Sequence, residues 1–476
     1  MKTFIRYFSL IIICLYAYSN TFGQKWLKVS SGGYFSVALR SDGKIFESGL
    51  NSDGELGQAN YLNSDTLIQV GVDSDWVDIF AGGFHVLAIK RNGTLWAWGA
   101  NYQYQCGNSY VGDILYPAQI GTDTDWAYIS ASWRNSFGIK KDGSLWTWGY
   151  NYWGQLGDST KNSNYTPYKV NNYSWKKACG GAAFSIGLRS DGTLWGWGEG
   201  TLCQLGTGID SSSLLPKQIG NENNWADISC GYTFTLAKKQ DGTLWSWGIN
   251  INGQLGQGDT LRRNSPTQIG TDKNWNHVYA GSVYAFASKK DSSIYAWGLD
   301  YFGELGDGGI YTKSRPEQIG GYNWIMAAPA CGVYNYRDNY VYGRHSLALK
   351  GNAMSICGTG ENNYGDLGNG DTISIGQFDC AIGSSPTGIE SVKTNSQICN
   401  IYPNPTTGKI NIDFALPFPG NAQLSIINSN GQIICNDNHF SNNKPNQIDI
   451  SAYPDGIYFL RIISSEGVFI TKVVKD

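Results

Sequence analysis

An all-β chain, a seven-bladed β-propeller followed by a small C-terminal β-sandwich, is predicted by three observations on these 476 residues. First, a marker of the form DGTLWSWGININGQLG (Asp241 to Gly256) recurs. Its central glycine or counterpart stands at Gly49, Gly99, Gly149, Gly198, Gly248, Gly298 and Gly360, the first six 49 or 50 residues apart. A tryptophan marker upstream, at Trp26, Trp76, Trp126, Trp175, Trp225, Trp275 and Trp324, keeps the same count. Second, five of the seven units break into short alternating runs around Asn-Gly or Asp-Gly, as VLAIKRNGTLWAWG (Val86 to Gly99) does, which is a hairpin signal. Third, no segment sustains a 3.6-residue apolar period, so helix is nearly absent. Units of this length with several strands each predict propeller blades rather than a solenoid, which needs capping units at its ends.

Taken in order, residues 1–23 read as a secretory signal peptide: Lys2 and Arg6, an apolar run, then small and polar residues, too short to span a bilayer. Residues 24–383 carry the seven units. The last ends in ISIGQFDCAIG (Ile373 to Gly383) with no tryptophan-led strand after it, whereas KWLKVSSGG (Lys25 to Gly33) opens the series. This arrangement predicts a composite blade in which the two ends of the propeller pair and remove a sheet edge. Both central residues of each Asn-Gly or Asp-Gly turn are expected at positive φ. Residues 384–398 are a polar linker. Residues 399–476 alternate around Asn-Gly and Asp-Gly turns, as a small sandwich does.

That tail resembles the type A C-terminal sorting domain of the type IX secretion system. The resemblance rests on Tyr402-Pro403-Asn404-Pro405 with Gly408, Asn430-Gly431, Gly456-Ile457-Tyr458 and the terminal run that includes Lys472 and Lys475. It implies export from a Gram-negative bacterium, with the secretion machinery as one partner and release or attachment at the outer-membrane surface as the fate. The repeat, read as GGFHVLAIKRNGTLWAWGAN with GQLG at Gly154 and Gly253, resembles the regulator-of-chromosome-condensation family over roughly residues 26–383. This implies the propeller fold. The nucleotide-exchange activity known in that family is not carried over to a secreted bacterial chain.

Composition narrows the function. Removing residues 1–23 moves the formal charge from −3 to −5, and no basic block occurs, which argues against nucleic acid. Nine cysteines remain after Cys14 leaves with the signal, an odd number, so buried free thiols are expected with one or two bridges open. The 18 tryptophans invite a sugar-binding reading, yet 16 of them fill repeat slots and are expected to pack between blades. Only Trp133 and Trp153 lie off the pattern.

Specificity is expected at variable loop slots: Tyr102, Tyr104, Tyr152, Trp153, Tyr301 and Phe302 between the paired glycines. The seventh unit adds 13 residues near CGVYNYRDNYVYG, which holds Tyr334, Tyr336 and Arg337. Catalysis has no support. His85 and His345 occupy equivalent slots and read as structural, His277 and His439 have no partner motif, and no nucleophile elbow, zinc motif or phosphate loop occurs. Acid pairs Asp73/Asp75 and Asp123/Asp125 raise calcium as a question, but Asn224 and Asn274 dilute the pattern, and turn roles are favoured. No cofactor or metal is expected. The reading is a monomeric, secreted or surface-displayed, non-enzymatic protein whose loops bind an extracellular protein. The alternative is a carbohydrate-binding module using exposed aromatics.

Overall fold

The computed structural model describes residues 24–331, 333–336, 339–351, 353–382, 399–402, 405–414, 422–428, 433–440, 446–464 and 467–475. All regular structure among them is strand, arranged in two compact units, Met1–Ser385 and Pro386–Asp476. The signal peptide and linker expected at 1–23 and 384–398 lie outside the described residues.

The first unit holds seven four-stranded antiparallel sheets. In blade 2, for example, Trp76–Ala81 pairs with His85–Lys90, which pairs with Leu95–Gly99, which pairs with Ile114–Ile120. Each first strand touches the first strands on both sides, and Trp26–Ser31 meets Trp324–Pro329 to close a ring. Because neighbouring strands are antiparallel, the loops joining strands one to two and three to four share one face, hereafter the loop face. The Asp-Gly hairpins and the segments before each marker tryptophan form the other, the hairpin face.

The second tryptophan of the Trp-x-Trp element explains its own recurrence. Trp197 is fully buried, and its indole N–H donates to the carbonyl of Gln155 in the preceding unit at 2.8 Å. Trp148, Trp247 and Trp297 donate in the same way to Gln105, Gln204 and Gln254. Gly157 lies flat on the Trp197 ring, where a Cβ would fall 2.9 Å from the indole nitrogen. The glycine ending the third strand has a second reason to exist: at Gly149, φ is +101°, and a Cβ would lie 2.6 Å from the Arg134 carbonyl. Blade 7, which lacks both tryptophans, compensates. Thr359 donates its hydroxyl to the Gly303 carbonyl at 2.7 Å, and Phe378 supplies the ring above Gly306.

Two expectations need correction. No composite blade exists: Trp26–Ser31 pairs with Phe35–Arg40 of its own unit, so all seven sheets are built from continuous segments. Each unit starts at its tryptophan, which leaves no orphan strand. Loops lace the closed ring together as well. The loop after each third strand bonds the fourth strand of the next blade, as Ser159 N does to Leu214 O at 3.1 Å, and Gly370 N completes the circle on Asp65 O at 2.8 Å. The hairpin turns also differ from expectation, because only the glycine has positive φ (Gly93, +83°). The preceding Asn92 uses its side chain to accept from Thr94 N at 3.1 Å. These are three-residue loops rather than two-residue ones.

Among the described residues, four cysteines are bridged. Cys179–Cys230 ties the first strands of blades 4 and 5, and Cys357–Cys380 ties two strands within blade 7. Cys106, Cys203 and Cys331 are free.

The second unit has a three-stranded sheet (Cys399–Tyr402, Lys409–Phe414, Asn446–Asp449) and a four-stranded sheet ending on Gly467–Lys475. They share one apolar cluster, with Ile410 and Ile412 from the first and Leu424, Ile426, Tyr458, Leu460 and Val473 from the second. That is the sandwich.

Candidate functional site

Tyr102, Tyr104, Trp133, Tyr152, Trp153, Tyr301 and Phe302 fall on loops of the loop face, because each lies between strands one and two or between strands three and four. They do not form a single site. One continuous group spans blades 3 to 5. Arg134 stacks its guanidinium 4.0 Å from the Trp133 ring centroid, and Tyr232 meets Trp133 edge-on at 6.3 Å. Tyr150, whose backbone N–H donates to the Arg134 carbonyl at 3.0 Å, is stacked with Tyr152 at 6.5 Å, and Tyr152 meets Trp153 edge-on at 5.3 Å. Tyr152 is 58% exposed and Trp153 37%. Burial pulls the Arg134 guanidinium below its ordinary value, although it stays a cation at any physiological pH.

Trp133, Tyr232 and Cys331 share one repeat slot, seven residues after the marker tryptophan, where blades 1 and 2 have Gly33 and Gly83. Backbone bonds link these positions sideways, as from Gly83 N to Ser132 O at 3.0 Å and from Ala182 N to Tyr232 O at 2.9 Å. Cys331 reaches across to the carbonyl of Ala81 at 3.3 Å.

The remaining positions are dispersed. Tyr102 donates to Asp113 at 2.9 Å, and Tyr61 donates to the same carboxylate. Tyr104 packs edge-on against Tyr165 at 4.3 Å. Phe302 lies under the Arg344 guanidinium at 4.5 Å, while Tyr301 is 64% exposed. Tyr334 and Tyr336 lie on one strand of an inserted hairpin, Val333–Tyr336 with Asn339–Tyr342, whose side chains are not described; Arg337 falls outside the described residues.

Sequence reasoning missed Arg134, Tyr150 and Tyr232, which complete the group around Trp133. It also missed the axial cavity. The third residues of the seven first strands form a ring, Lys28, Asp78, Tyr128, Lys177, Asp227, His277 and Met326. Lys28 pairs with Asp78 at 2.7 Å, and Lys177 with Asp227 at 2.6 Å. His277, which had no partner in sequence, lies 3.7 Å from Asp227. Burial opposes ionisation of Asp227, but Lys177, helped by His277, holds its carboxyl well below the usual carboxylate range. Aligning the units on their tryptophans would have exposed this slot, since it holds five residue types in seven blades and charged ones in four.

Other residues prove structural. His85 and His345 are fully buried and bond Ser136 at 2.7 Å and Ser36 at 3.1 Å; burial pushes both imidazoles down to about 3. The acid pairs hold lysines. Lys90 lies 2.6 Å from Asp73 and 3.4 Å from Asp75, and Lys140 lies 2.7 Å from Asp123 and 3.3 Å from Asp125. Glu222 and Asp272 hold Lys239 and Lys289 with one carboxylate each, which accounts for the diluted pattern.

In the second unit the sorting residues converge around the last strand. Thr406, within the Tyr402–Gly408 motif, donates its N–H to Val474 O at 2.8 Å. Lys475 pairs with Asp455 at 2.6 Å, next to Gly456. Tyr458 is buried and donates to Pro454 O at 2.5 Å, Gly408 packs on Ser451, and Tyr402 and Pro405 are exposed. Pro403 and Asn404 and the Lys472 side chain lie outside what is described.

Comparison with known proteins places both units. Residues 15–286 match the RCC1-like domain, and residues 400–476 match the secretion system C-terminal sorting domain. No curated protein matches. Among solved structures, human WBSCR16 is similar at 18% identity, covering 71% of this chain and 93% of its own, with a TM-score of 0.61. Prp20p from Saccharomyces cerevisiae, studied for its binding to Gsp1p and histones, is similar at 19% identity over 79% of this chain and 90% of its own, also at 0.61. Yeast RCC1 (Prp20) bound to Kap60 is similar at 20% identity over 78% and 87%, at 0.59. At these identities the likeness speaks for the fold alone. The matched span covers more than half of the sequence, and the chain belongs to the RCC1-like domain family, with a type IX C-terminal sorting domain as its second unit.

Proposed function

We propose that this is a secreted or surface-displayed, non-enzymatic recognition protein of a Gram-negative bacterium that binds an extracellular protein through the loop face. The carrying observation is the group Trp133, Arg134, Tyr150, Tyr152, Trp153 and Tyr232: large rings around one stacked arginine, half-buried, on a frame set by the repeat. Tyr, Trp and Arg dominate interface hot spots because they combine area with a polar tip. Ring-stiff strands hold them in place before a partner arrives, which lowers the ordering cost of binding. Two similar proteins, Prp20p studied for its binding to Gsp1p and histones and yeast RCC1 in complex with Kap60, agree in kind with protein recognition. The two disulfides agree with an oxidising destination.

A glycan is the second reading, favoured by the near-parallel Tyr150–Tyr152 pair at 11°. The two readings separate on a glycan array probed with the full chain. A blank array, together with saturable binding to a purified surface protein that is lost in the Trp133→Ala/Trp153→Ala double variant, supports the protein reading. A reproducible glycan hit lost in the same variant overturns it. Export is tested separately. Removal of residues 399–476 should leave a folded propeller in the periplasm, and normal levels outside the cell would refute the sorting role.

A further inference from the structure

The axial cavity has a volume of about 560 Å³ and is lined by the first strands of all seven blades, within the range of small-molecule sites. Its walls are unlike one another. Blades 2 and 7 contribute Phe80 and Met326, and blade 6 adds Tyr279. Blades 4 to 6, across the axis from blade 1, contribute Lys176, Lys177, Lys238, His277 and the one carboxylate Asp227.

Charge does not balance on that side. Asp227 is already taken by Lys177 at 2.6 Å. Lys238 lies opposite Asp227 in the strand register, and among the described residues neither Lys238 nor Lys176 has a carboxylate within 4.0 Å. Burial pulls the Lys238 ammonium below its ordinary value, with Lys290, Lys176 and Lys177 adding to the shift and Asp227 opposing it. A chain of formal charge −3 therefore concentrates surplus cations at one end of its axis. Assembling like charges around a hollow costs free energy that an anion would return.

We propose that this cavity binds a small organic anion, a carboxylate or sulfate on an apolar body, with its head group on Lys238 and Lys176 and its body against Phe80 and Met326. Charged groups at the hairpin-face mouth and the Phe80 ring and Met326 side chain along the opposite wall define the orientation. This site lies on the hairpin-face side of the molecule and stands independently of recognition by the loop face.

Calorimetric titration of the purified full chain tests it, with 2-naphthoate and 2-naphthyl sulfate as anions and 2-naphthalenemethanol as the neutral isostere. The expected result is saturable one-to-one binding of an anion, weaker by about tenfold or more for the alcohol. Lys176→Ala/Lys238→Ala should weaken the anion by about tenfold and leave the alcohol unchanged. Lys273→Ala, on the outer hairpin face, should change neither, and melting curves check that each variant is folded. Absence of saturable anion binding, equal affinity for anion and alcohol, or indifference to the double variant would each overturn the proposal.

Discussion

On the hairpin face, Lys90 lies 4.7 Å from the Trp76 ring centroid and 4.4 Å from that of Trp96, with Asp73 and Asp75 against its ammonium. Lys140, Lys239 and Lys289 repeat the arrangement in blades 3, 5 and 6. On the loop face, Arg134 and Trp133 form a similar cation–ring pair, with the ring at a slot that holds glycine in two other blades, and Arg344 over Phe302 forms a second with its ring at a different slot. The chemistry is the same and the meaning differs. Arg40, Arg189 and Lys350 place a cation over a ring at the same point of the remaining blades, so a pair written in every blade is part of how a blade closes, whereas a pair whose ring slot changes from blade to blade is free to serve something outside it. Aromatic content therefore says little until it is sorted by repeat slot.

The sharpest way to break this comparison is to truncate one tryptophan of each kind. Trp197→Ala empties a fully buried site and removes one of two donors to the Gln155 carbonyl, the Ser185 hydroxyl being the other, so a loss of ~3–5 kcal/mol is expected in denaturant unfolding. Trp153→Ala, at a 37% exposed position, should cost about 1 kcal/mol or less. Comparable losses would mean that the loop face is structural as well.

A second effect is pH-dependent and lies between the two faces. The slot filled by Gln105, Gln155, Gln204 and Gln254 holds Glu55, Glu304 and Asp366 in other blades, all buried. Burial pushes the Glu304 carboxyl up to about 7, with bonds from the backbone opposing it. A raised folded value means that the protonated acid's contribution is present below the ordinary carboxylate range and is lost as pH rises through about 7. Glu304→Gln should therefore leave stability nearly unchanged at pH 4 and raise it by roughly 2–3 kcal/mol at pH 8. Thermal melts across pH read this directly, and a variant less stable at pH 8 would reverse the sign.

A smaller effect tests the lysine clamps. Lys90→Met keeps the hydrocarbon stem but removes the charge from between two indoles and two carboxylates, for a loss of ~1–2 kcal/mol. Adding calcium to the unaltered protein should leave its melting temperature unchanged, because Asp73 and Asp75 already hold Lys90. A rise of several degrees would mean that the ion competes with the lysine for these acids.

Periodicity made the seven blades legible, because a unit that packs against its own copy must repeat the same rings, glycines and polar partners. The tail was legible for a similar reason: its motif residues are fixed by contacts with the terminal strand, as Thr406 is to Val474. Ring closure was misread because sequence shows where a unit ends but not which strand starts a sheet. The Cys179–Cys230 bridge was hidden because each cysteine occupies a different slot of a different blade, and only the lateral stagger of first strands brings them together. His277 was dismissed for want of a neighbour in sequence, whereas its neighbour Asp227 is 50 residues back, one blade round the ring. Functional slots change residue type from blade to blade, and that leaves no repeated word to find.

The central claim is that recognition uses the loop face, and cross-linking on living cells tests it most directly. A photoreactive phenylalanine would be placed at position 152 on the loop face or, in a separate protein, at position 72, where Val72 is 88% exposed on the hairpin face. The account predicts a discrete cross-linked product from position 152, abolished by adding Trp133→Ala, and none from position 72. A product from position 72 with none from 152 would contradict it.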